Sequence, residues 1–417
     1  MLVYVVSNNG QPLMPTNRYG KIRRLLKNKQ AKVLKRCPFT VQLLYETKNV
    51  TQPISLGVDS GSKYIGLSAT TKDKVLFESV VEVRNDIVNL LSTRRELRSS
   101  RRSRKTRYRK SRFNNRVSSK KEGWLAPSIK QKIQTHLTVV DKVCHILPIT
   151  NITVEVASFD IQKIKNPETS GEEYQQGEQL GFWNVREYVL FRDNHECQCC
   201  HGKSKDKVLN VHHIESRKTG GDSPNNLITL CETCHHKYHQ GEIELKLKRG
   251  QSFRDATFMG IMRLAFYNVL KEKHQNVALT YGYITKNTRI KNNLPKDHYI
   301  DARCISGNPQ ATPLGYVYYQ KKVRCHNRQT HKNTILKGGI RKNNQATFLI
   351  KGFRLFDKVL FENKEYFIFG RRTSGFFDIR NLSGDKVNNG SVSFKKLELV
   401  ENKKYYLVER RSAVFLP

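Results

Sequence analysis

Between residues 53 and 83 short apolar runs alternate with turn-formers. Ile54–Asp59, Tyr64–Ala69 and Val75–Val83 are separated by Ser60-Gly61-Ser62 and by Thr70–Lys74, which predicts a meander of three strands. Upstream, residues 2–6 read as a strand that runs into the turn Asn8-Asn9-Gly10, not as a signal peptide. A basic helix near 19–30 and an apolar strand at 38–45 complete a small α/β unit. Downstream, the spacing predicts a helix near 128–146 and then a strand, Ile152–Val156. Residues 161–180 are polar and read as a linker. A helix near 255–272, a strand at 276–284 and a helix near 296–305 follow. From 306 to 417 the chain is rich in Gly and aromatics and alternates as strands do, as in Phe353–Leu360, Tyr366–Gly370 and Phe376–Ile379. No run of 18 apolar residues occurs, so no membrane-spanning helix is expected.

Composition changes this picture through charge. The 417 residues include 75 Lys+Arg against 36 Asp+Glu, a formal charge of +39. Such an excess points to nucleic acid as partner, with a membrane surface or a merely soluble basic protein as alternatives. The 19 Phe and 18 Tyr argue against a disordered chain. The charge is also uneven. Residues 1–50 carry ten basic residues and one acid, and 306–417 carry 22 against eight, whereas 181–245 hold eight against nine. The block at 181–245 is therefore not the grip on polyanion.

Twelve of the 23 residues between 94 and 116 are Lys or Arg. Arg94, Arg98, Arg101, Lys105, Arg109, Arg112 and Arg116 recur at steps of four and three, one face of a helix, and Arg95 and Arg102 widen it. Like charges so spaced repel. A polyanion that neutralises them is the expected partner, with a disordered basic arm as the alternative.

Five of the nine Cys fall between 197 and 234. Cys197, Cys200, Cys231 and Cys234 form two C-x2-C knuckles, the spacing of a four-thiolate structural zinc site. Between and after them lie His212-His213, Asn225-Asn226, His235 and His239. His212, His235 and His239 can hold a divalent ion while His213 stands beside it to deprotonate a water attacking phosphorus. Imidazole, neutral near pH 7, suits both jobs. Extra zinc ligands or a plain zinc ribbon are the alternatives. This order of parts resembles the zinc-bearing HNH (ββα-metal) nuclease module. The resemblance implies His213 as general base, His212 and His239 (with His235) as Mg²⁺ ligands, and Asn226 as the buttress of the loop that carries the base.

Acids near strand ends form a second constellation: Asp59 before a tight turn, Glu155 within an apolar strand, and His298 and Asp301 on one helix face. Singly, such an Asp is more often a turn former. Together they resemble a RuvC-like nuclease of RNase H fold, in which Asp59, Glu155 and Asp301 would hold two Mg²⁺ and His298 would take the companion position. With Pro12-Leu13-Met14-Pro15 and the Arg-rich segment, nearly the whole chain resembles IscB, the transposon-encoded RNA-guided DNA endonucleases.

The resemblance implies an α/β multi-domain protein with a split RNase H-like core. Its expected parts are an N-terminal domain at 1–52, RuvC-like segments at 53–92, 118–160 and 246–305, a bridge helix at 93–117, a linker at 161–180, an HNH module at 181–245 and a β-rich C-terminal domain at 306–417. HNH would cut the guide-paired strand and the RuvC-like site the displaced strand of double-stranded DNA. Arg324, Arg328, Arg371 and Arg372 are further candidates for nucleic-acid contact. The implied partners are a structured guide RNA and target DNA, with a monomeric protein, no membrane, and a cytoplasmic, nucleoid-associated location in a bacterium or archaeon. A guide-free homing or junction-resolving endonuclease, and an RNA-binding accessory protein with vestigial sites, are the rival readings.

Overall fold

The computed structural model describes residues 1–103, 125, 127–156, 182, 184–215, 223–244, 254–326 and 346–413. In chain order the elements begin with β1 (Tyr4–Val6), α1 (Tyr19–Lys27), β2 (Ala31–Lys35), β3 (Thr40–Leu43), β4 (Ser55–Ser60), β5 (Tyr64–Thr70) and β6 (Val75–Glu82). Then come α2 (Ile87–Ser103), α3 (Pro127–Cys144), β7 (Asn151–Glu155), α4 (Val185–Arg192), β8 (Leu209–His213), β9 (Leu227–Cys231) and α5 (Glu232–Gln240). The last third holds α6 (Arg254–Lys273), β10 (Val277–Thr280), α7 (Gly282–Lys291), α8 (His298–Ile305) and β11 (Tyr316–Lys322). It ends with β12 (Lys358–Phe361), β13 (Lys364–Arg371), β14 (Phe376–Arg380), β15 (Val392–Ser393), β16 (Glu398–Glu401) and β17 (Tyr406–Ser412). No described helix is long and apolar enough to cross a membrane. Two compact units emerge, one built from 1–158 and 259–417, the other from 159–258.

The first unit is organised by a seven-stranded sheet of order β10-β7-β4-β5-β6-β11-β17. The meander β4-β5-β6 is antiparallel, and β7 joins β4 in parallel. Leu56, Val58, Ile65, Leu67, Ala69 and Val154 are fully buried, because apolar runs this short and dense suit strands covered on both faces. Residues 1–43 form a separate three-stranded sheet of order β1-β3-β2, with Leu13 of the Pro12–Pro15 tetrapeptide in its core. An antiparallel five-stranded sheet, β15-β14-β13-β12-β16, closes around Val359, Ile368, Phe377 and Ile379. The stretch from 306 to 417 is not all one layer: β11 pairs with β6, and β17 with β11, so its two outer strands extend the large sheet.

Among the described residues the second unit is built from α4, the hairpin β8–β9 and α5. Strand β8 pairs with β9 in antiparallel register, and α5 follows β9 without a break. The four knuckle cysteines pack with Ile228 and Leu230, and a second cluster gathers Tyr188, Val189 and Leu227.

Candidate active sites

Strands β4 and β7 place Asp59 directly opposite Glu155 in parallel register. The next components arrive on α8, and two glycines admit it. A Cβ on Gly57 would lie 1.9 Å from the carbonyl oxygen of Ala302, and one on Gly66 would lie 1.9 Å from that of His298. Only glycine lets a helix ride on a strand so closely. His298 Nδ1 thereby reaches Asp59 Oδ2 at 2.6 Å, and its ring stacks on Tyr64 at 5.4 Å between centroids. Asp301 faces Arg289 of α7, whose Nε stands 2.9 Å from Oδ1. Neither atom makes a properly angled hydrogen bond, so the contact is an ion pair that leaves a buried carboxylate oxygen unspent.

The electrostatics show acids crowding one another. Burial is the largest cause that pushes Glu155 up to about 7, and Asp59 and Asp301 add to it. Thr285 opposes that shift from close by without completing a hydrogen bond. Burial and then Asp59 raise Asp301, while the hydrogen bond to Asp59 raises His298. Raised carboxyls at Glu155 and Asp301, with Asp59 among the causes of both shifts, offer oxygens that suit a hard divalent cation. Among the described residues the three acids are not gathered as tightly as the two donor sets of the other unit, and His298 and Arg289 each contact one of them.

In the second unit two donor sets each converge within 4.8 Å: Cys197, Cys200, Cys231 and Cys234, and His212, His235 and His239. A Zn–S bond of about 2.3 Å implies a tetrahedral edge of about 3.8 Å, and Cys200 Sγ lies 3.8 Å from Cys231 Sγ. The thiols therefore fit zinc. His235 and His239 sit one turn apart on α5 with their Nε2 atoms 3.3 Å apart, close to the edge of about 3.3–3.4 Å that Zn–N bonds would give. Buried His212 completes the set from β8, with ring centroids 5.2 Å from both. Burial, then the neighbouring imidazoles, push His212 down to about 4 and keep it a neutral donor. Three nitrogens suit a borderline ion such as Zn²⁺ better than Mg²⁺.

His213 ends β8, half-buried, in register with Leu227. The loop beyond it is held by Asn226, which is fully buried. Its Oδ1 accepts from Glu215 N at 2.9 Å and its Nδ2 donates to Glu215 O at 3.0 Å, while its own carbonyl accepts from Ile214 N. Short side chains with both a donor and an acceptor can lock a loop in this way; an apolar residue cannot.

The basic candidates fare unevenly. Arg94, Arg95 and Arg98 lie on α2, half-buried or exposed, and Arg101 and Arg102 lie in its last turn. Lys105, Arg109, Arg112, Arg116 and Arg328 fall outside the described residues. Arg324 is half-buried and Arg372 is exposed. Arg371 donates to the carbonyls of Thr347, Phe348 and Phe353, so much of its guanidinium is engaged in holding the fold. Sequence reasoning did not single out Gly57, Gly66, Thr285, Arg289 or the buried pair of Glu78 with Arg303. Only a glycine in an otherwise solid apolar strand signalled close approach at Gly57 and Gly66.

Residues 3–177 match the model of the RRXRR protein family, and residues 197–241 match that of the HNH endonuclease family. Anaredoxin of Nostoc sp. is 33% identical over 58 residues, 14% of this chain and 74% of that protein. Three crystal structures of Streptococcus thermophilus Cas9, in complex with the AGAA, GGAA and AGGA PAM, are similar at TM-score 0.30 and 13–14% identity. The match covers 44–45% of this chain and only 26% of theirs, and it assigns no residue a role. An HNH endonuclease domain carried with an RRXRR domain defines a nuclease. The two matches together support a nuclease related to the IscB-like proteins, and over 58 residues the chain shares a family with anaredoxin.

Proposed function

We propose that the protein is an RNA-guided endonuclease that cuts both strands of DNA, one in each compact unit. What supports this is that one chain holds two separate side-chain clusters whose residue types suit phosphodiester hydrolysis: Asp59, Glu155, His298 and Asp301 in the first unit, and His212, His213, Asn226, His235 and His239 in the second. The first centre is read as RuvC-like, on a core split by the HNH module. RNA guidance rests on the IscB-like family and on the charge of +39, with 181–245 left near neutral.

In the HNH centre His213 takes the proton of the attacking water, and Asn226 fixes the loop through which that imidazole is aimed. His212, His235 and His239 would hold a divalent ion there, and Cys197, Cys200, Cys231 and Cys234 a structural zinc. In the RuvC-like centre Asp59, Glu155 and Asp301 would hold Mg²⁺, while His298, hydrogen-bonded to Asp59, would move a proton at the displaced strand. Bound metal supplies Lewis acidity and neutralises charge developing on the phosphate.

The test uses protein purified with its co-expressed RNA and a plasmid target. His213→Ala is expected to lower cutting of the guide-paired strand by about 10²–10⁴-fold and leave the displaced strand cut. Asp59→Ala is expected to do the reverse. Full double-strand cleavage by either variant overturns the two-centre reading, and absence of a defined co-purifying RNA overturns the guidance.

A further inference from the structure

Beside Glu155 lies a surface that the mechanism above does not use. Residue Thr280 of β10 pairs with Glu155, and the chain then turns straight into α7. Gly282 sits so tightly on the carboxylate that a Cβ there would lie 3.1 Å from Glu155 Oε1. Its two neighbours, Tyr281 and Tyr283, stand outward at 47% and 66% exposure, with rings nearly parallel, 10° apart in plane and 6.2 Å between centroids. Ile284 extends the same exposed patch at 42%. Large rings left in water beside a reactive centre mark a surface that something covers.

Charge identifies what covers it. From Gln275 to Lys296 there is no acidic residue, while Lys286, Arg289, Lys291 and Lys296 are all basic. Lys286 and Lys291 are exposed. An acidic protein would be attracted but would have no use for two parallel ring faces. A double helix shows phosphate at its surface but keeps its base faces stacked within. Only a single strand offers both phosphates for the lysines and free base faces for the rings.

We infer that Tyr281 and Tyr283 form a base-stacking subsite for single-stranded DNA, which holds unpaired nucleotides beside the Asp59–Glu155–Asp301 centre. The inference rests on reading that centre as a nuclease site, and it makes the two tyrosines positioning residues. Single-strand selectivity at this centre then follows from the protein's own surface as well as from whatever opens the duplex.

The experiment is photo-crosslinking of the full-length protein to a short oligodeoxythymidylate that carries one iododeoxyuridine, with the attachment site mapped by mass spectrometry. The expected product joins the base to the peptide holding Tyr281 and Tyr283. Tyr283→Ala should lower that product by at least roughly fivefold, the loss of one stacked base. Tyr283→Phe should restore it, because the ring and not the hydroxyl is what matters. Cross-links elsewhere on the protein should persist in all variants, which reports that they fold. A competitor strand of abasic sugar-phosphate should displace the product poorly. An equal yield in Tyr283→Ala, equal competition by the abasic strand, or a product confined to other peptides overturns the inference. Asp59→Ala separates the two readings. If it nicks as expected while the cross-link is missing, only the stacking subsite fails. If the cross-link forms but Asp59→Ala still cuts both strands, only the nuclease assignment fails.

Discussion

Gly66 decides whether the first centre can exist. Its missing side chain is the space in which the backbone of His298 lies, and a methyl group there would meet that carbonyl oxygen at 1.9 Å, with the Asp59 Cβ at 3.2 Å. Backbone cannot yield as a flexible side chain does, so Gly66→Ala should shift α8, cost on the order of 1–3 kcal/mol, and abolish displaced-strand cutting with guide-paired cutting intact. Strand-specific cleavage on a denaturing gel, with denaturant unfolding beside it, checks both parts. A parallel case in the other unit is Asn226. Asn226→Ala leaves the N–H and carbonyl of Glu215 without their partner and should cost about 1–3 kcal/mol in that loop. Guide-paired cutting should fall with it, and strand-resolved kinetics would show whether it does. The acids were legible from their places in the apolar pattern: Glu155 interrupts a strand between Val154 and Val156, and Asp59 closes one before the turn at Ser60-Gly61-Ser62. Arg289 was not, since an arginine in a basic segment carries no mark of the acid it will meet.

Helix α8 is fixed at its other end by charge. Arg303, two residues beyond Asp301, donates through Nε to Glu78 Oε1 at 2.8 Å, and Nη2 lies 2.7 Å from the same oxygen. Glu78 lies on β6, and its side chain is fully buried. Burial outweighs the attraction of Arg303 and pushes Glu78 up to about 7. A carboxyl whose folded value lies above its unfolded value of about 4.3 contributes its full stability below that unfolded value. The contribution is lost as pH rises through about 7. Arg303→Met strands a buried charge and should cost about 3–5 kcal/mol at pH near 8, and less near pH 6, where Glu78 takes up a proton. Glu78→Leu combined with Arg303→Met should recover much of that loss. Denaturant titrations of the three proteins at both pH values are the check, and equal losses at both would refute the linkage. The strands of the large sheet's centre were readable from their apolar runs. Two elements were not. Residues 276–284 read as one strand because Val277, Leu279, Tyr281 and Tyr283 alternate, yet the strand ends at Thr280 and α7 begins at Gly282. Strands β11 and β17, within the β-rich stretch 306–417, join the large sheet, which was not readable because alternation reveals a strand but not the sheet it joins.

At the scale of the whole chain, the two centres depend on different supports. The first is built on a sheet with a continuous apolar interior, from Ile54 through Val154, and needs no metal to bring Asp59 and Glu155 together. The second rests on two small clusters, one of Tyr188, Val189 and Leu227 and one in which Cys197, Cys231 and Cys234 pack with Ile228 and Leu230. A core that small is expected to draw its folding energy from zinc, whose binding to four thiolates is coupled to folding of the segment that carries them. Cys234→Ser should therefore lower the zinc content measured by atomic absorption and melt the hairpin that presents His212 and His213. Its effect on cleavage should be one-sided: the guide-paired strand stays whole, and the displaced strand is still cut when Mg²⁺ is supplied. A chelator strong enough to strip zinc, followed by Mg²⁺ alone, should reproduce that pattern in the unaltered protein, and adding Zn²⁺ back should restore the second cut. Loss of both cuts on zinc removal would show that the sheet-borne centre leans on the zinc-held unit, and would overturn their independence.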